Sequence, residues 1–141
     1  MKERHLHVAL VDDDRVYQFT IEKMLKRLDQ RVRFQWFKDG EEAIVFINKH
    51  AFDPDQLPDI LILDINMPYM DGWQFLDVYE IALPALAKRI DIFMISSSAD
   101  VRDQNRARQC TNVTEYLEKP ITTDLLRQLL ARYSLSDARL H

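Results

Sequence analysis

The segment DILILDI, residues 59–65, is apolar except for Asp59 at its start and Asp64 near its end. The segment DIFMIS, residues 91–96, is a second run of the same kind. Short apolar runs of this type are typical of strands that are covered on both faces, because a half-exposed strand would show polar residues at alternate positions. The two segments therefore predict the centre of a parallel β-sheet.

Strand and helix patterns alternate along the rest of the chain. Strands are predicted at residues 5–11, 32–37, 59–65, 91–96 and 114–117. Helices are predicted at residues 15–28, 40–50, 72–83, 99–110 and 121–133. This alternation predicts an α/β fold, a doubly wound (βα)5 parallel sheet with helices on both faces. We expect the flavodoxin-like strand order 2-1-3-4-5, which places a ligand site beyond the carboxyl ends of strands 1 and 3.

Length and composition limit the classes of protein to which the chain can belong. The 141 residues suit one domain, which we place at residues 1–133, with a short C-terminal tail at 134–141. The net charge of −4 argues against a surface that coats nucleic acid, so we expect no direct DNA binding. No signal peptide or long apolar segment is present, and Cys110 is the only cysteine, so we expect a cytoplasmic protein without disulfides or membrane spans.

Two residues have predicted structural roles. Gly72 is expected to adopt a left-handed conformation before the third helix. Cys110 is expected to be a small, buried apolar group at the end of the fourth helix, which is otherwise polar and has only a thin apolar stripe.

Polar side chains are concentrated where the predicted strands end. They are Asp12 and Asp13 after strand 1, Asp64 after strand 3, Ser96, Ser97 and Ser98 after strand 4, and Lys119 after strand 5. The carboxyl ends of parallel strands meet at one edge of a sheet. We therefore expect three carboxylates, a hydroxyl and an ammonium to converge on one crevice.

The three aspartates of LVDDDRV, residues 10–16, need separate interpretations. Taken alone, such a cluster is a polar loop, a helix cap or a cation site. Consecutive strand residues point to opposite faces, so three adjacent acids cannot share one site. We assign Asp12 and Asp13 to a cation site, and Asp14 to the N-terminal cap of the first helix.

Four motifs together resemble the receiver domain of two-component response regulators. They are VDDD at 11–14, DINMPYMDG at 64–72, SSSAD at 96–100 and YLEKP at 116–120, and the resemblance covers roughly residues 5 to 133. It implies a stand-alone signalling protein that takes a phosphoryl group from a histidine kinase or a histidine phosphotransfer protein. It further implies Mg²⁺-dependent self-phosphorylation with slow autodephosphorylation, in place of the turnover of a metabolic enzyme. The surface of the fourth helix, fifth strand and fifth helix would then regulate a downstream protein target, or the phosphoryl group would pass on in a relay.

The resemblance also assigns roles at the predicted crevice. Asp64 is the expected phosphoacceptor and a ligand of the Mg²⁺ ion, since aspartate carboxylates form acyl phosphates in other enzymes. Asp13 is the expected direct metal ligand, Asp12 is expected to act largely through water, and the backbone carbonyl of Asn66 completes the set, which suits the oxygen preference of Mg²⁺. Lys119 is expected to place its ammonium against the phosphoryl oxygens.

A second group of residues is expected to respond to phosphorylation. By resemblance, Ser96 is the switch hydroxyl and Tyr116 is the switch aromatic residue, while Asn66 and Ser98 set the dephosphorylation rate. The family more often has threonine followed by alanine where this chain has SSSA. Ser97 or Ser98 would replace Ser96 as the switch if the strand register differed by one or two residues.

Two other functions are compatible with parts of the pattern. An aspartate-nucleophile phosphohydrolase would also use Asp64, but phosphatases of the haloacid dehalogenase type carry a general-acid aspartate two residues later, where this chain has Asn66. A non-phosphorylated protein-binding module would not need a complete set of acids and Lys119.

Overall fold

Strands and helices alternate in the computed structural model, which describes residues 5–98 and 100–133. The strands are β1 (Leu6–Val11), β2 (Val32–Phe37), β3 (Ile60–Asp64), β4 (Asp91–Ser96) and β5 (Val113–Glu118). The helices are α1 (Arg15–Leu28), α2 (Gly40–Lys49), α3 (Gly72–Ala82), α4 (Val101–Gln109) and α5 (Thr123–Ala131). Residues 1–4 and 99 of the predicted domain and the predicted tail at 134–141 lie outside the described residues.

The five strands form one parallel sheet in the order β2-β1-β3-β4-β5. This confirms the predicted flavodoxin-like topology. Every residue of β3 is buried, and in β4 only Asp91 is partly exposed. Coverage on both faces explains why these two strands are continuous apolar runs.

Apolar layers cover both faces of the sheet. On one face, α2 and α3 supply most of the buried side chains that come from helices, while α4 adds only Ala107. On the other face, α1 and α5 pack their leucine and isoleucine side chains against the sheet. Helix α4 is therefore the least deeply anchored of the five helices, as its polar sequence predicted. Among the helices that the structure describes, none combines the length and apolar composition needed to cross a membrane.

At the start of each of the five α-helices, a polar side chain accepts a hydrogen bond from one or more of the free backbone N–H groups. Asp14 accepts from the N–H groups of Val16 and Tyr17 at the start of α1, which confirms its predicted role as a cap. The remaining caps are Asp39, Asp71, Asp100 and Thr122. Such caps satisfy donors that would otherwise lack partners, and the aspartates also complement the helix dipoles.

The prediction for Gly72 is wrong, because neither glycine of the chain has a positive φ. Gly72 is the first residue of α3, and a Cβ atom there would lie 2.9 Å from the Ile65 Cα and 3.1 Å from the Asp64 carbonyl oxygen. Close backbone approach requires the glycine. In the loop before α3 it is Tyr69 that has a positive φ, 69°. Cys110 is only half-buried, at the C-terminal end of α4, although it packs against the core as predicted.

We expect Gly72→Ala to lower the free energy of unfolding by about 1–3 kcal/mol, because the added methyl group would press on backbone atoms that cannot move independently. Urea denaturation followed by circular dichroism measures the change. Gly40→Ala is the matched control, since Gly40 also begins a helix. Its nearest neighbour would be the flexible Met70 side chain, with Sδ at 2.9 Å. Equal destabilisation by the two substitutions would contradict the close-approach explanation.

Candidate functional site

The carboxyl edge of the sheet brings the predicted polar residues together. Asp12 directly follows β1, Asp64 ends β3, Ser96 ends β4, and Lys119 directly follows β5. Asp12 and Ser96 have no exposed surface, and Asp64 is only 4% exposed. Buried polar groups of this kind need hydrogen-bond or ionic partners, and the site supplies them internally.

Three carboxylates form the acidic part of the site. Asp12, Asp13 and Asp64 each place one oxygen so that the three atoms lie within 4.8 Å of one another. Asp12 and Asp13 reach the same place because the strand ends at Val11 and the chain turns immediately afterwards. Asp14 is not in this group and caps α1. The three adjacent aspartates therefore divide into two members of the acidic cluster and one helix cap, while the cation-binding role of Asp12 and Asp13 stays a prediction.

Lys119 provides the positive charge. Its Nζ atom lies 2.8 Å from Asp12 Oδ2 and 3.8 Å from Asp64 Oδ2. Burial alone would lower the pKa of Lys119, but the hydrogen bond that its ammonium donates to Asp12 and the charge of Asp64 outweigh burial and raise the pKa. The group is therefore an ammonium ion that is paired first with Asp12 and second with Asp64.

Asp64 carries the most perturbed carboxylate of the site. Burial and the adjacent charge of Asp12 raise its pKa to about 6, although Lys119 and the backbone N–H of Asn66 act in the opposite direction. That N–H group donates to Asp64 Oδ1 at 3.2 Å. Lys119 therefore offsets only part of the effect of burial and of the Asp12 charge on Asp64, and a further cation beside these carboxylates would reduce their mutual repulsion.

Of the three consecutive serines, only Ser96 lies inside the site. Its Oγ accepts hydrogen bonds from the Asn66 side-chain amide at 3.2 Å and from the backbone N–H of Ser98 at 3.1 Å. Ser97 and Ser98 are exposed in the following loop. Of the three candidate hydroxyls, the strand register therefore places the predicted one, Ser96, against the Asn66 side chain. Its role as a switch stays a prediction.

Tyr116 connects this loop to the surface of β5. It is half-buried, and its hydroxyl donates to the carbonyl oxygen of Ser98 at 3.0 Å. It also lines a groove of about 550 Å³ between α4 and β5. A displacement of the serine loop, residues 96–98, would thus alter the Tyr116–Ser98 hydrogen bond and, with it, the position of a side chain that lines this groove.

Two aromatic contacts at the site were not predicted. The Trp36 indole N–H donates to the Asp12 carbonyl oxygen at 2.7 Å, and the Tyr17 ring lies 4.3 Å from the Lys119 Nζ. Trp36 belongs to β2, where it pairs with Leu10 of β1, so the predicted strand order contained part of the information needed to place it. Tyr17 lies on α1, and no motif relates it to residue 119.

Comparison with known proteins gives a consistent result. A family model described as the response regulator receiver domain matches residues 8–131. The probable methanogenesis regulatory protein FilR2 of Methanothrix harundinacea is 26% identical over 86% of this chain and 76% of its own length. The transcriptional regulatory protein CitT of Bacillus subtilis is 29% identical over 91% of this chain, which spans about half (52%) of CitT.

A solved structure with the same fold is that of a two-component response regulator from Cytophaga hutchinsonii. It is 30% identical, with a TM-score of 0.80, over 92% of this chain and 97% of that one. The family match at residues 8–131 includes all of the site residues described above.

We expect Asp64→Asn to stabilise the metal-free protein by about 1–2 kcal/mol at pH 8, because it removes one charge from the cluster. The folded protein holds the Asp64 proton more tightly than the unfolded chain, since the pKa is about 6 when folded and 3.8 when unfolded. The penalty of the ionised group is therefore complete above pH 6 and disappears as the pH falls toward 4. Urea denaturation in EDTA across this range measures the gain.

Asp77→Asn, on the exposed side of α3, is the control for this experiment and should show no such trend. A gain from Asp64→Asn that stayed constant from pH 8 to pH 4 would contradict the interpretation, because the ionised carboxylate would then not be its source.

Proposed function

The chain belongs to the response regulator receiver family, and we propose on this basis that Asp64 accepts a phosphoryl group from a phosphohistidine donor in the presence of Mg²⁺. The supporting observation is the group of three carboxylates and one ammonium at the carboxyl end of β3. The donor is a histidine kinase or a histidine phosphotransfer protein, and the reaction takes place in the cytoplasm.

The transfer is an in-line displacement at phosphorus. An oxygen of the ionised Asp64 attacks, an O–P bond forms, and the N–P bond of the donor phosphoimidazole breaks. The imidazole nitrogen keeps the electron pair of that bond and takes up a proton. The protein contributes position and charge compensation, since two anions must approach each other.

The oxygen donors of the acidic cluster fit a hard divalent cation. We propose that Asp13, Asp64 and the Asn66 backbone carbonyl hold the Mg²⁺ directly and that Asp12 acts through water. Both Asp12 oxygens already accept hydrogen bonds, Oδ1 from the Asp14 N–H and Oδ2 from Lys119, whereas Asp13 is exposed at the mouth of the site. When bound, the ion supplies the positive charge that Lys119 alone does not provide.

Ser96 is the proposed switch. Its hydroxyl donates to an oxygen of the new phosphoryl group, so Ser96 moves toward Asp64 and its contacts with Asn66 and Ser98 change. Ser98 is tied through its carbonyl to Tyr116, which lines the groove between α4 and β5. Phosphorylation thus reshapes the α4–β5–α5 surface, which regulates a downstream protein target or supports onward transfer in a relay.

Asn66 and Ser98 are the proposed determinants of the phosphoryl lifetime. The Asn66 side-chain amide and the Ser98 backbone N–H both donate to Ser96 Oγ, so both residues lie next to the proposed switch hydroxyl. An amide at residue 66 cannot serve as a general acid, which favours slow autodephosphorylation over phosphatase turnover.

Incubation with acetyl phosphate and Mg²⁺ should add one phosphoryl group to the protein, as detected by intact-mass spectrometry. Asp64→Asn and addition of EDTA should each abolish the adduct, because they remove the acceptor and the compensating cation. A wild-type protein that gains no mass under these conditions would refute the proposed function.

Adjacent aspartates provide matched controls for this assay. Asp13→Ala should abolish the Mg²⁺-dependent adduct, whereas Asp14→Ala should preserve it and lower the free energy of unfolding by about 1 kcal/mol through loss of the cap. Equal loss of phosphorylation in the two variants would contradict the division of roles within the cluster.

Hydrogen–deuterium exchange should locate the response to phosphorylation. We expect the largest change in residues 100–110, because α4 buries only Ala107 and is linked through Tyr116 to the serine loop. Helix α2, which buries four residues, serves as the internal reference. Changes of equal size in all five helices would argue against a localised switch.

A further inference from the structure

We propose that Tyr17 is a positioning residue for phosphoryl transfer, holding the Lys119 ammonium beside the two buried carboxylates. This inference rests on the proposed function, in which Lys119 compensates the transferred charge. Tyr17 lies on α1, far from Lys119 in the sequence, but its ring contacts the Lys119 side chain at the site.

The first contact is between the aromatic ring and the ammonium. The Lys119 Nζ lies 4.3 Å from the centroid of the Tyr17 ring, within the range of a cation–π interaction. The Lys119 side chain is 17% exposed, and Tyr17 is half-buried. Partial removal from water strengthens such a contact compared with one on an open surface.

The second contact fixes the backbone that carries the lysine. The Tyr17 hydroxyl accepts a hydrogen bond from the Ile121 N–H at 3.0 Å. Ile121 is buried, two residues beyond Lys119, in the turn between β5 and α5. The Tyr17 hydroxyl therefore stabilises the turn after Lys119, while the ring is the part of Tyr17 that contacts the ammonium itself.

These restraints limit where the ammonium can go. A lysine side chain has four flexible methylene groups and presents a point charge without a fixed direction. Asp12, Asp64 and the Tyr17 ring surround the Nζ atom at 2.8, 3.8 and 4.3 Å. Lys119 can thus shift from Asp12 toward a phosphoryl group on Asp64 while it keeps the ring contact, which is the pre-organisation that electrostatic catalysis requires.

Two substitutions separate the ring from the hydroxyl. Tyr17→Phe keeps the ring and should phosphorylate within about threefold of the wild-type rate, with a lower melting temperature because Ile121 loses its partner. Tyr17→Leu removes the ring as well and should react about tenfold more slowly, the size expected for loss of a partly buried cation–π contact. The rates are measured by intact mass with acetyl phosphate and Mg²⁺, at a temperature where circular dichroism shows every variant folded.

Tyr133→Leu is the matched control. Tyr133 packs against the same apolar layer as Tyr17, and its hydroxyl also makes one hydrogen bond, to Asp91 at 2.7 Å. It lies at the opposite end of the strands from Asp64, so its loss should lower stability without slowing phosphorylation.

A measurement on the wild-type protein tests the contact without any substitution. Protons above the face of an aromatic ring are shielded, so the Lys119 Hε resonances should lie upfield of those of the other lysines, as assigned with Lys119→Arg. They should remain upfield in Tyr17→Phe. This measurement does not need a phosphorylated protein, so failure of the wild type to take up phosphoryl groups would refute the proposed function and leave the contact tested separately.

The inference is overturned by any of four results. They are unshifted Lys119 resonances in the wild type, a wild-type phosphorylation rate in Tyr17→Leu, equal slowing in Tyr17→Phe and Tyr17→Leu, and equal slowing in Tyr133→Leu and Tyr17→Leu. The last two would assign the effect to the turn or to general stability.

Discussion

Repulsion among three carboxylates at the end of a buried sheet is the constraint on which the site depends. The oxygens of Asp12, Asp13 and Asp64 lie within 4.8 Å of one another, and Asp12 has no exposed surface. Isolated buried charges are costly, so such a cluster persists only where compensation is fixed in place. One lysine supplies part of that compensation, while burial and the charge of Asp12 still raise the pKa of Asp64. The proposed divalent cation would add positive charge beside Asp64, the proposed phosphoacceptor.

The fold holds one side of this site rigidly and the other side loosely. The approach of Gly72 to the backbone of Asp64 and Ile65 fixes the start of α3 against the acceptor strand. By contrast, α4 buries only Ala107, and its remaining ties to α3 are side-chain contacts to Trp73: a hydrogen bond to Asp103 at 3.1 Å and the Arg106 guanidinium over the ring at 4.3 Å. Contacts of this kind are individually weak, so the acceptor can stay in register while α4 responds.

Sequence patterns predicted the sheet, its strand order and the polar edge, because a buried parallel strand must be apolar throughout and its end must be where polar residues begin. The cap at Asp14 was predictable for a similar local reason. The reason for the glycine at residue 72 was not predictable. A glycine can be required because its φ angle is positive or because another part of the backbone lies too close for a Cβ atom, and the sequence does not show which of the two applies. The partner preference of Lys119 is also a tertiary property. The spacing of the motifs places Lys119 near both Asp12 and Asp64. Only the structure shows that its Nζ lies closer to Asp12 (2.8 Å) than to Asp64 (3.8 Å).

That preference has a consequence for the order of events in the proposed reaction. In the structure, Asp12 Oδ1 accepts from the start of α1, and Oδ2 accepts from Lys119. If Lys119 turns toward a phosphoryl group on Asp64, Asp12 is left as a fully buried carboxylate without its ionic partner, which is among the costliest arrangements in a protein interior. Phosphoryl transfer before cation binding would therefore carry that cost in addition to the repulsion between Asp64 and the incoming anion. A cation held by Asp13, Asp64 and the Asn66 carbonyl would offset part of that cost, so the pairing of Lys119 with Asp12 favours an order in which the cation binds before phosphoryl transfer.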